Sequence, residues 1–427
     1  MKVYKAFLVL MFSLFLFVGC DFEKQQYLDV HDKKPLTYAI YMAADNNLED
    51  YAIENIDALK KVGSSDNVNI VVLFDRASGR NTTNGNWSDT RLLYITKGHT
   101  INYDIVRNYP FDEQDMTDSD TLYDFLKLVN DYYPSDKLIL NIWSHGYGVS
   151  SDAQIPTNNA KSIIVDETTG SNRSMSIVNL RKALQKFNRY ANKRIDILQF
   201  DACNMQMLEI AYELRTYVRY IVGAETDVPQ EGSDYEALSK YFDEYANEDA
   251  RTIASYMVDS FDALYKNTDR TYSYGALDTA RLTSFMGFFK NLVDDVLDNA
   301  NVTVIGGRTL IAQAVNDRQY LKRTVETIPE FCDFYEFALW CIDKLGGNAS
   351  SGLVSKEILD ANFDSLIINY CASKDMQSTR SLGVNIPYTL AQWREYRIHT
   401  NSNTEYLKIY SETQFVDLLW KMYDIFS

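Results

Sequence analysis

From Pro35 onward, short apolar runs alternate with segments of helical periodicity. Uninterrupted apolar runs of this length are typical of strands that are buried on both faces of a sheet. The predicted strands span residues 38–42, 69–74, 92–95, 137–143, 195–200 and 220–224. Because strands and helices alternate, the pattern predicts an α/β fold: a three-layer αβα sandwich around a mainly parallel sheet.

Three helices are predicted between these strands. Apolar residues recur at helical spacing from Leu122, from Ile177 and from Met207, which places each set on one helix face. Ser119 and Ser176 precede the first two sets. Serine is a favoured N-cap because its hydroxyl accepts a hydrogen bond from an otherwise unpaired backbone N–H.

Beyond about residue 235 the pattern becomes mostly helical, with helices predicted near 249–266, 281–300, 331–345 and 404–425. Residues 382–387 form one late strand, for which the same sheet is a candidate position. We therefore expect a core at residues 35–247 and a mostly helical C-terminal region at residues 248–427 that packs on it.

One polar connection interrupts the alternation, at residues 147–175, with only a brief apolar run at 163–165. A connection that long inside a compact domain is usually functional or mobile. We therefore expect this segment to contribute to function.

The N-terminus has the features of a secretion signal. A short basic start precedes an apolar run over residues 7–18 that is too short to span a bilayer comfortably and ends at Gly19-Cys20. This arrangement resembles a bacterial lipoprotein signal, in which the cysteine is lipidated and becomes the new N-terminus. We predict a signal peptide at 1–19, lipidation of Cys20, a polar tether at 20–34 and a position in the bacterial cell envelope. The alternative is a plain signal peptide cut nearby.

The net charge of the chain limits the kinds of molecule that it is expected to bind. The formal net charge is −17 and the sequence pI is near 4.7, which argues against nucleic acid because phosphate binding needs clustered Lys and Arg. The remaining sequence contains no stretch apolar enough to span a membrane. We expect a monomer that is attached to a membrane through its N-terminal lipid only.

Four cysteines remain after Cys20: Cys203, Cys332, Cys341 and Cys371. They form no C-x-x-C pair, which argues against a zinc site or a redox dithiol. The last three lie in apolar, helix-like sequence and are expected in the core, whereas Cys203 directly follows a predicted strand.

His145 and Cys203 each come just after a predicted buried strand. Neighbouring parallel strands end on the same edge of a sheet, so the two side chains can meet although 58 positions separate them. A thiol near an imidazole suits nucleophilic catalysis, and the backbone N–H groups of Gly146 and Cys203 are expected to bind the oxyanion. A helix inferred to begin after Cys203 is expected to favour the thiolate through the partial positive charge at its N-terminus.

Two motifs carry a family resemblance. His145-Gly146 after one hydrophobic block, and Asp201-Ala202-Cys203 after another, resemble the signature of the caspase-like cysteine peptidases, and within that clan the chain looks like the clostripain family. Further matching sequence is YMAADNNL at 41–48, EIAYEL at 209–214 and LGVNIP at 382–387. The resemblance runs from about residue 36 to 390 and implies a caspase-like sheet.

The resemblance also implies roles for the matched residues. Cys203 is the expected nucleophile, and His145 is expected to protonate the leaving amine. Asp201 is expected at the base of a pocket for Arg or Lys, because a buried carboxylate pairs well with a guanidinium. The alternative for Asp201 is a helix N-cap.

Three further expectations follow from the resemblance. A second acid usually comes from the loop after the next strand, where Asp227, Glu231 and Asp234 compete and Glu231 is preferred. Family members are often activated by self-cleavage after a basic residue, for which Lys161 is the candidate and Arg173 the fallback. Some members depend on calcium. The sequence contains no EF-hand loop or other dense carboxylate cluster, so no cofactor is required by the motifs and calcium stays open.

The leading hypothesis is therefore a cysteine endopeptidase that cleaves proteins or peptides after Arg or Lys. One alternative is a catalytically silent, peptide-binding surface lipoprotein on the same fold, although such a protein could lose Cys203 at no cost. A second alternative is a transpeptidase or ligase that uses the same thioester. The sequence does not separate a ligase from a hydrolase, because both need the same nucleophile and oxyanion hole.

Overall fold

A computed structural model of the protein describes residues 26–149, 163–168, 173–302, 331–343 and 354–386. The predictions for Cys20, for Lys161 and for a helix near 404–425 lie outside the described residues. Within these ranges, every helix is too short or too polar to cross a membrane.

All six predicted strands are present, and they belong to one eight-stranded sheet. The strands of the described residues are β1 (Lys34–Ala44), β2 (Val68–Arg76), β3 (Thr90–Tyr94), β4 (Ser135–Trp143), β5 (Ile163–Asp166), β6 (Arg173–Met175), β7 (Ile195–Asp201), β8 (Val218–Ala224), β9 (Ser273–Asp278), β10 (Phe331–Asp333), β11 (Ile367–Ala372) and β12 (Gly383–Asn385). The order across the central sheet is β11-β9-β8-β7-β4-β1-β2-β3. Its central strands, β2, β1, β4, β7 and β8, are parallel, and β3 and β9 run antiparallel to their neighbours.

Helices cover both faces of this sheet. They are α1 (Glu49–Lys60), α2 (Ile101–Asp104), α3 (Ser119–Tyr132), α4 (Ile177–Ala191), α5 (Leu208–Leu214), α6 (Tyr235–Glu244), α7 (Ala250–Tyr265), α8 (Leu282–Val302), α9 (Phe334–Cys341) and α10 (Lys356–Leu366). One face packs against α1, α6 and α7, and the other packs against α3, α4, α5, α8, α9 and α10. The predicted three-layer α/β fold with a mainly parallel sheet is confirmed.

The two cores arise from the alternation of side chains along each strand. In β1, Ala39 and Tyr41 join the core on one face, while Ile40 and Met42 join the core on the other. All four are fully buried. A strand in the middle of a sandwich must be apolar on both faces, which is why its sequence reads as a continuous apolar run.

Local signals set the helix starts that precede the site. The Ser176 hydroxyl accepts a hydrogen bond from the Asn179 N–H and caps α4, as predicted. The helix α3 begins one position earlier than expected, because the Asp118 side chain is its N-cap and accepts from the Asp120 N–H.

The core does not end at residue 247. Strands β9 and β11 lie beyond that boundary, and β9 extends the sheet from β8. The late strand at 382–387 is shorter than predicted and does not join the central sheet; β12 pairs with β10 in a separate two-stranded sheet. These strands are short or carry polar residues such as Asn369, so their apolar pattern is weak.

Part of the predicted tether packs on the core. The ring of His31 lies against Tyr94 and Tyr133, and the backbone N–H of His31 donates to the Tyr132 carbonyl over 2.8 Å. The polar composition of residues 20–34 does not predict these contacts, because one backbone hydrogen bond and two aromatic contacts leave little trace in sequence. Residues 26–33 are therefore not a free tether.

Candidate active site

The two residues singled out by the sequence lie at the same end of adjacent strands. Trp143 in β4 pairs in parallel register with Asp201 in β7, so His145 and Cys203 each lie two positions beyond this pair. Both line one cleft, together with Gly146, Asp201 and residues of the segment that follows β8. The predicted convergence at one sheet edge is therefore present in the fold.

The His145 ring is held by an asparagine in the turn that follows β1. The distance from His145 Nε2 to Asn47 Oδ1 is 2.7 Å. An amide oxygen accepts hydrogen bonds, so this contact favours a proton on Nε2 and turns Nδ1 into the nitrogen that can exchange a proton. The sequence analysis assigns no role to Asn47, although this residue lies in the matched stretch 41–48.

No helix begins directly after Cys203. Residues 202–207 form turns and an irregular segment, and α5 begins only at Leu208, with Met207 as its N-cap. The prediction of a helix N-terminus that favours the thiolate is therefore wrong. The same finding removes the helix-cap alternative for Asp201.

The surroundings of Cys203 favour its neutral thiol. Burial raises its pKa to about 12, and the nearby Asp227 carboxylate adds to the rise through repulsion. The Val228 N–H donates to Cys203 Sγ over 3.3 Å and has the opposite, weaker effect on the pKa. The thiol must therefore lose its proton during the reaction rather than before it.

The backbone segments that were predicted to bind an oxyanion are in contact. A Cβ added to Gly146 would lie 2.3 Å from the carbonyl oxygen of Cys203 and 2.9 Å from its nitrogen. A side chain at residue 146 would thus push the two segments apart. Glycine at this position lets the two amides sit together at the cleft.

Asp201 forms a buried wall of the same cleft. Its Oδ2 accepts hydrogen bonds from the Tyr235 hydroxyl, over 2.6 Å, and from the Ser233 N–H, over 3.1 Å. Burial raises the pKa of Asp201, and these two donors partly offset the rise. Gly232 covers the carboxylate with backbone alone, because an added Cβ would come within 2.7 Å of Oδ2.

A buried hydrogen-bond network supports Asp201 from the opposite side. The Asn141 amide donates to the hydroxyls of Tyr38 and Tyr235, each over 2.9 Å, and the Tyr38 hydroxyl donates to Gln199 over 2.8 Å. Buried polar groups are costly unless they are paired. The network therefore fixes Tyr235, which in turn fixes the Asp201 carboxylate.

Glu231 is not part of the cleft. Its side chain is 47% exposed and pairs with Arg270 over 2.8 Å, whereas the neighbouring Asp227, Gln230 and Gly232 line the cleft. Of the other two acids considered, Asp234 caps α6. The structure therefore does not support the preference for Glu231, and Asp227 is the one of the three acids that lines the cleft. Spacing alone could not choose among acids on one irregular loop.

The apolar run within the long polar connection packs directly against the histidine. The Ile164 N–H donates to the His145 carbonyl over 3.1 Å, and the Val165 N–H donates to Ser144 Oγ over 3.2 Å. Ile164 has a φ of 63°, a left-handed conformation that costs energy for a β-branched residue. Strand β5 is thus held in place by contacts to the His145 segment.

Four carboxylates also converge near this edge, at Asp45, Asp75, Glu113 and Asp166, with one oxygen from each within 4.8 Å of the others. The sequence analysis found no dense carboxylate cluster because these residues are far apart along the chain. The signal was the acid that ends each apolar run, as at Asp45 and Asp75.

Three further cysteines, Cys332, Cys341 and Cys371, lie among the described residues and away from the cleft lining. Cys332 and Cys341 are buried and Cys371 is half-buried, and within the described residues all of them are free thiols. The expectation that the first two belong to the core is confirmed.

The sheet topology, together with a histidine and a cysteine that follow adjacent strands, places this protein in the class of caspase-like α/β proteins. Residues 40–420 match the model of the clostripain family, peptidase family C11. This match covers most of the chain, so the protein belongs to the clostripain family.

A curated relative supports this membership over a shorter stretch. Clostripain from Hathewaya histolytica is 27% identical over 191 residues, which amount to 42% of this chain and 36% of that protein. The matched stretch thus spans about a third of that relative's length.

Two solved structures share the fold over nearly their whole length. One is a secreted C11 cysteine protease from Bacteroides thetaiotaomicron in complex with an irreversible peptide inhibitor, with a TM-score of 0.64 and 17% identity over 90% of this chain and 99% of that chain. The other is an inactive zymogen C11 protease from Parabacteroides distasonis, with a TM-score of 0.63 and 19% identity over the same shares. At these identities the likeness establishes the fold alone.

Proposed function

We propose that the protein is a cysteine endopeptidase that cleaves after Arg or Lys, with Cys203 as the nucleophile and His145 as its proton carrier. The observation that carries the proposal is that both side chains line a single cleft at the ends of adjacent parallel strands. Membership of the clostripain family supports the same class of reaction.

The reaction begins with a neutral thiol. Cys203 Sγ attacks the scissile carbonyl carbon while its proton passes to His145, and the C–N bond breaks when His145 gives that proton to the leaving amine. Water, deprotonated by His145, then hydrolyses the thioester and restores the thiol. The N–H groups of Gly146 and Cys203 stabilise the oxyanion in both steps.

The preference for a basic residue rests on two acids. Asp201 offers a buried carboxylate in the cleft wall, and the exposed Asp227 also lines the cleft. A guanidinium or ammonium group is stabilised by a buried carboxylate such as Asp201, and Asp227 adds a second negative charge at the solvent side. The net charge of −17 also favours the approach of cationic substrates.

Self-activation and lipid anchoring are part of the proposal. The cut after Lys161 and the lipid on Cys20 both concern positions outside the described residues. Arg173 is the fallback site. Its backbone lies opposite that of Asp166 in the antiparallel β5–β6 pair, so it is held in a sheet. Lys161 therefore remains the preferred site of cleavage.

Fluorogenic peptides ending in Arg, Lys or Asp test the proposal. We expect the parent protein to hydrolyse the Arg or Lys peptides, and Cys203→Ala to reduce kcat/KM by at least about 1,000-fold because no nucleophile remains. Cys371→Ala is the matched control and should retain activity. Asp201→Asn should lower kcat/KM for basic peptides by about 10- to 100-fold.

Other outcomes have distinct meanings in this assay. Peptide binding without turnover would contradict the peptidase and support the silent receptor. Cleavage after Asp would contradict the assignment of the pocket. Transfer of the acyl group to an added amine in preference to water would instead indicate a ligase.

A further inference from the structure

The protein itself uses most of the hydrogen-bonding capacity of Asp201, and this limits which cation the cleft can bind. The inference rests on the proposed function, in which Asp201 pairs with the basic side chain before the scissile bond. Its Oδ2 accepts hydrogen bonds from the Tyr235 hydroxyl, over 2.6 Å, and from the Ser233 N–H, over 3.1 Å. A carboxylate oxygen has about two lone pairs for such bonds, so Oδ2 has little capacity left for a substrate.

The Ser233 hydroxyl is a third donor to the same carboxyl group. It accepts a hydrogen bond from the Gln199 amide over 2.9 Å, which leaves its own proton free for Asp201, and it acts on that carboxyl as a hydrogen-bond donor. The carboxylate therefore binds three groups of the protein before a substrate arrives.

These donors are fixed in place by further contacts. The Tyr235 side chain is 1% exposed, and its hydroxyl accepts from the Asn141 amide over 2.9 Å. The Ser233 N–H follows Gly232, whose carbonyl accepts from the Tyr265 hydroxyl over 2.6 Å. Turning away from Asp201 would leave a buried donor unpaired, which is costly. We therefore expect the donors to stay on Asp201 when a substrate binds.

Little of the Asp201 carboxylate is open to the cleft. Asp201 is 5% exposed, and a Cβ added to Gly232 would lie 2.7 Å from Oδ2 and 3.0 Å from Oδ1. The Gly232 backbone thus lies over both oxygens, and a substrate must approach from another side. Oδ1 accepts neither the Tyr235 hydroxyl nor the Ser233 N–H, so it is the oxygen with capacity left.

Arginine and lysine make different demands on such a carboxylate. A guanidinium pairs best as a planar fork that donates one N–H to each oxygen. An ammonium is a compact point charge that needs a single oxygen, and its other protons can bind water or backbone carbonyls. Asp227 lies at the exposed side of the cleft and attracts both cations, so it does not distinguish between them.

We propose that the cleft selects lysine over arginine before the scissile bond, and that Tyr235 sets this selection by occupying Asp201 Oδ2. An arginine must share Oδ2 with the hydroxyl or give up one arm of its fork. The loss of one hydrogen bond between charged groups corresponds to about tenfold in kcat/KM. Tyr235 acts through Asp201 and is therefore a positioning residue.

Matched peptides that differ only in Lys or Arg before the scissile bond test this selection. In the parent protein we expect kcat/KM to be about tenfold higher for the Lys peptide, with the difference mainly in KM. Tyr235→Phe keeps the buried ring and frees Oδ2, so the Lys-to-Arg ratio should fall by at least about fivefold.

The pH dependence of kcat/KM gives a second readout for Tyr235. Its hydroxyl favours the ionised carboxylate and so lowers the pKa of Asp201, against the larger, opposite effect of burial. Loss of the hydroxyl should therefore raise that pKa and shift the acid limb of the profile to higher pH. A substitution that only loosened the core would lower kcat/KM for both peptides and leave their ratio unchanged.

Tyr272→Phe is the matched control. Tyr272 is also 1% exposed, and its hydroxyl donates to Asp262 over 2.9 Å, so this variant removes the same kind of bond away from the cleft lining. Its Lys-to-Arg ratio and its acid limb should match those of the parent. An equal fall of the ratio in Tyr272→Phe would overturn the role of Tyr235.

Binding of the same peptides to Cys203→Ala, measured by isothermal titration, separates this inference from the proposed function. Tighter binding of the Lys peptide, without cleavage by the parent, would contradict the peptidase and support the selection. The selection is overturned if the Arg peptide is cleaved and bound as well as the Lys peptide. The role of Tyr235 is overturned if Tyr235→Phe keeps the parent's ratio; if that variant fails to fold, the ratio in the parent decides.

Discussion

At the scale of single residues, the Cys203 thiol lies in surroundings that disfavour its charge. Burial and the Asp227 carboxylate hold its pKa at about 12, and Asn204 positions that carboxylate by donating to it over 3.0 Å. A nucleophile of this kind reacts slowly with general alkylating agents. Asp227 thus lowers the reactivity of the free thiol, and in the proposed function it also attracts a basic substrate.

Replacing Asp227 tests this balance. The carboxylate raises the thiol pKa through repulsion, so Asp227→Asn should lower that pKa and speed alkylation by iodoacetamide at pH 7.5 by several-fold. Each unit of lowering increases the thiolate fraction about tenfold at fixed pH. The same variant should raise KM for Arg peptides. The measurement is the pH dependence of the alkylation rate of Cys203.

Glu231→Gln provides the control for this prediction. Glu231 lies on the same loop but pairs with Arg270 outside the cleft, so its alkylation rate should match that of the parent. An equal increase in both variants, or no change in Asp227→Asn, would contradict the role given to Asp227.

At the scale of elements, β5 links the long connection to the histidine. Hydrogen bonds from Ile164 to His145 and from Val165 to Ser144 hold it against the catalytic segment, while Asn46 donates to the Val165 carbonyl over 3.0 Å. A cut at residue 161 would leave these contacts intact. The new end would therefore start close to the cleft without loss of the fold.

Processing at this connection is directly testable. Lys161→Ala should remain a single chain where the parent splits into two fragments, because the proposed pocket needs a basic residue before the scissile bond. Arg173→Ala should split as the parent does, since β6 is paired in a ladder. Gel electrophoresis with mass spectrometry of the fragments identifies the cut. Identical processing of the parent and Lys161→Ala would contradict the prediction.

The sequence pattern predicted the strands and helices that have a strong apolar periodicity. It did not predict elements whose structure depends on contacts with distant parts of the chain. Strands such as β4 and β7 are buried on both faces, so their apolar runs were unambiguous. Asn369 and its neighbours in β11 form a strand only because β9 is there to pair with them. The missing helix after Cys203 has a similar cause, since the loop up to Met207 is held by backbone hydrogen bonds to β8 and β12.

The residues of the candidate site can also be divided into those that the sequence predicts and those that it does not. His145, Gly146, Asp201 and Cys203 were predictable because each lies at or just beyond a strong strand. Asn47 was not, because an asparagine on a loop carries no periodic signal. The four-acid cluster depends on the register of β1, β2 and β5, which a single sequence does not determine.

At the scale of the whole molecule, the C-terminal region supports both catalytic segments. Gly383 N–H donates to the Gln206 carbonyl over 2.9 Å, and Asn385 N–H donates to Glu209 over the same distance. On the histidine side, Gly148 lies so close to Phe331 that an added Cβ would come within 2.5 Å of the ring. The region after residue 248 therefore packs against the segments that follow His145 and Cys203 in addition to covering the sheet.

Covalent labelling tests the central claim most directly. A peptidyl-Arg chloromethyl ketone, followed by intact-mass measurement and peptide mapping, should add one label to the parent protein, on Cys203. Labelling should be at least about 100-fold slower in His145→Ala, because the thiol then lacks its proton acceptor, and slower with an Asp-ending reagent. A label on Cys371 instead of Cys203, or equal rates with and without His145, would contradict the account.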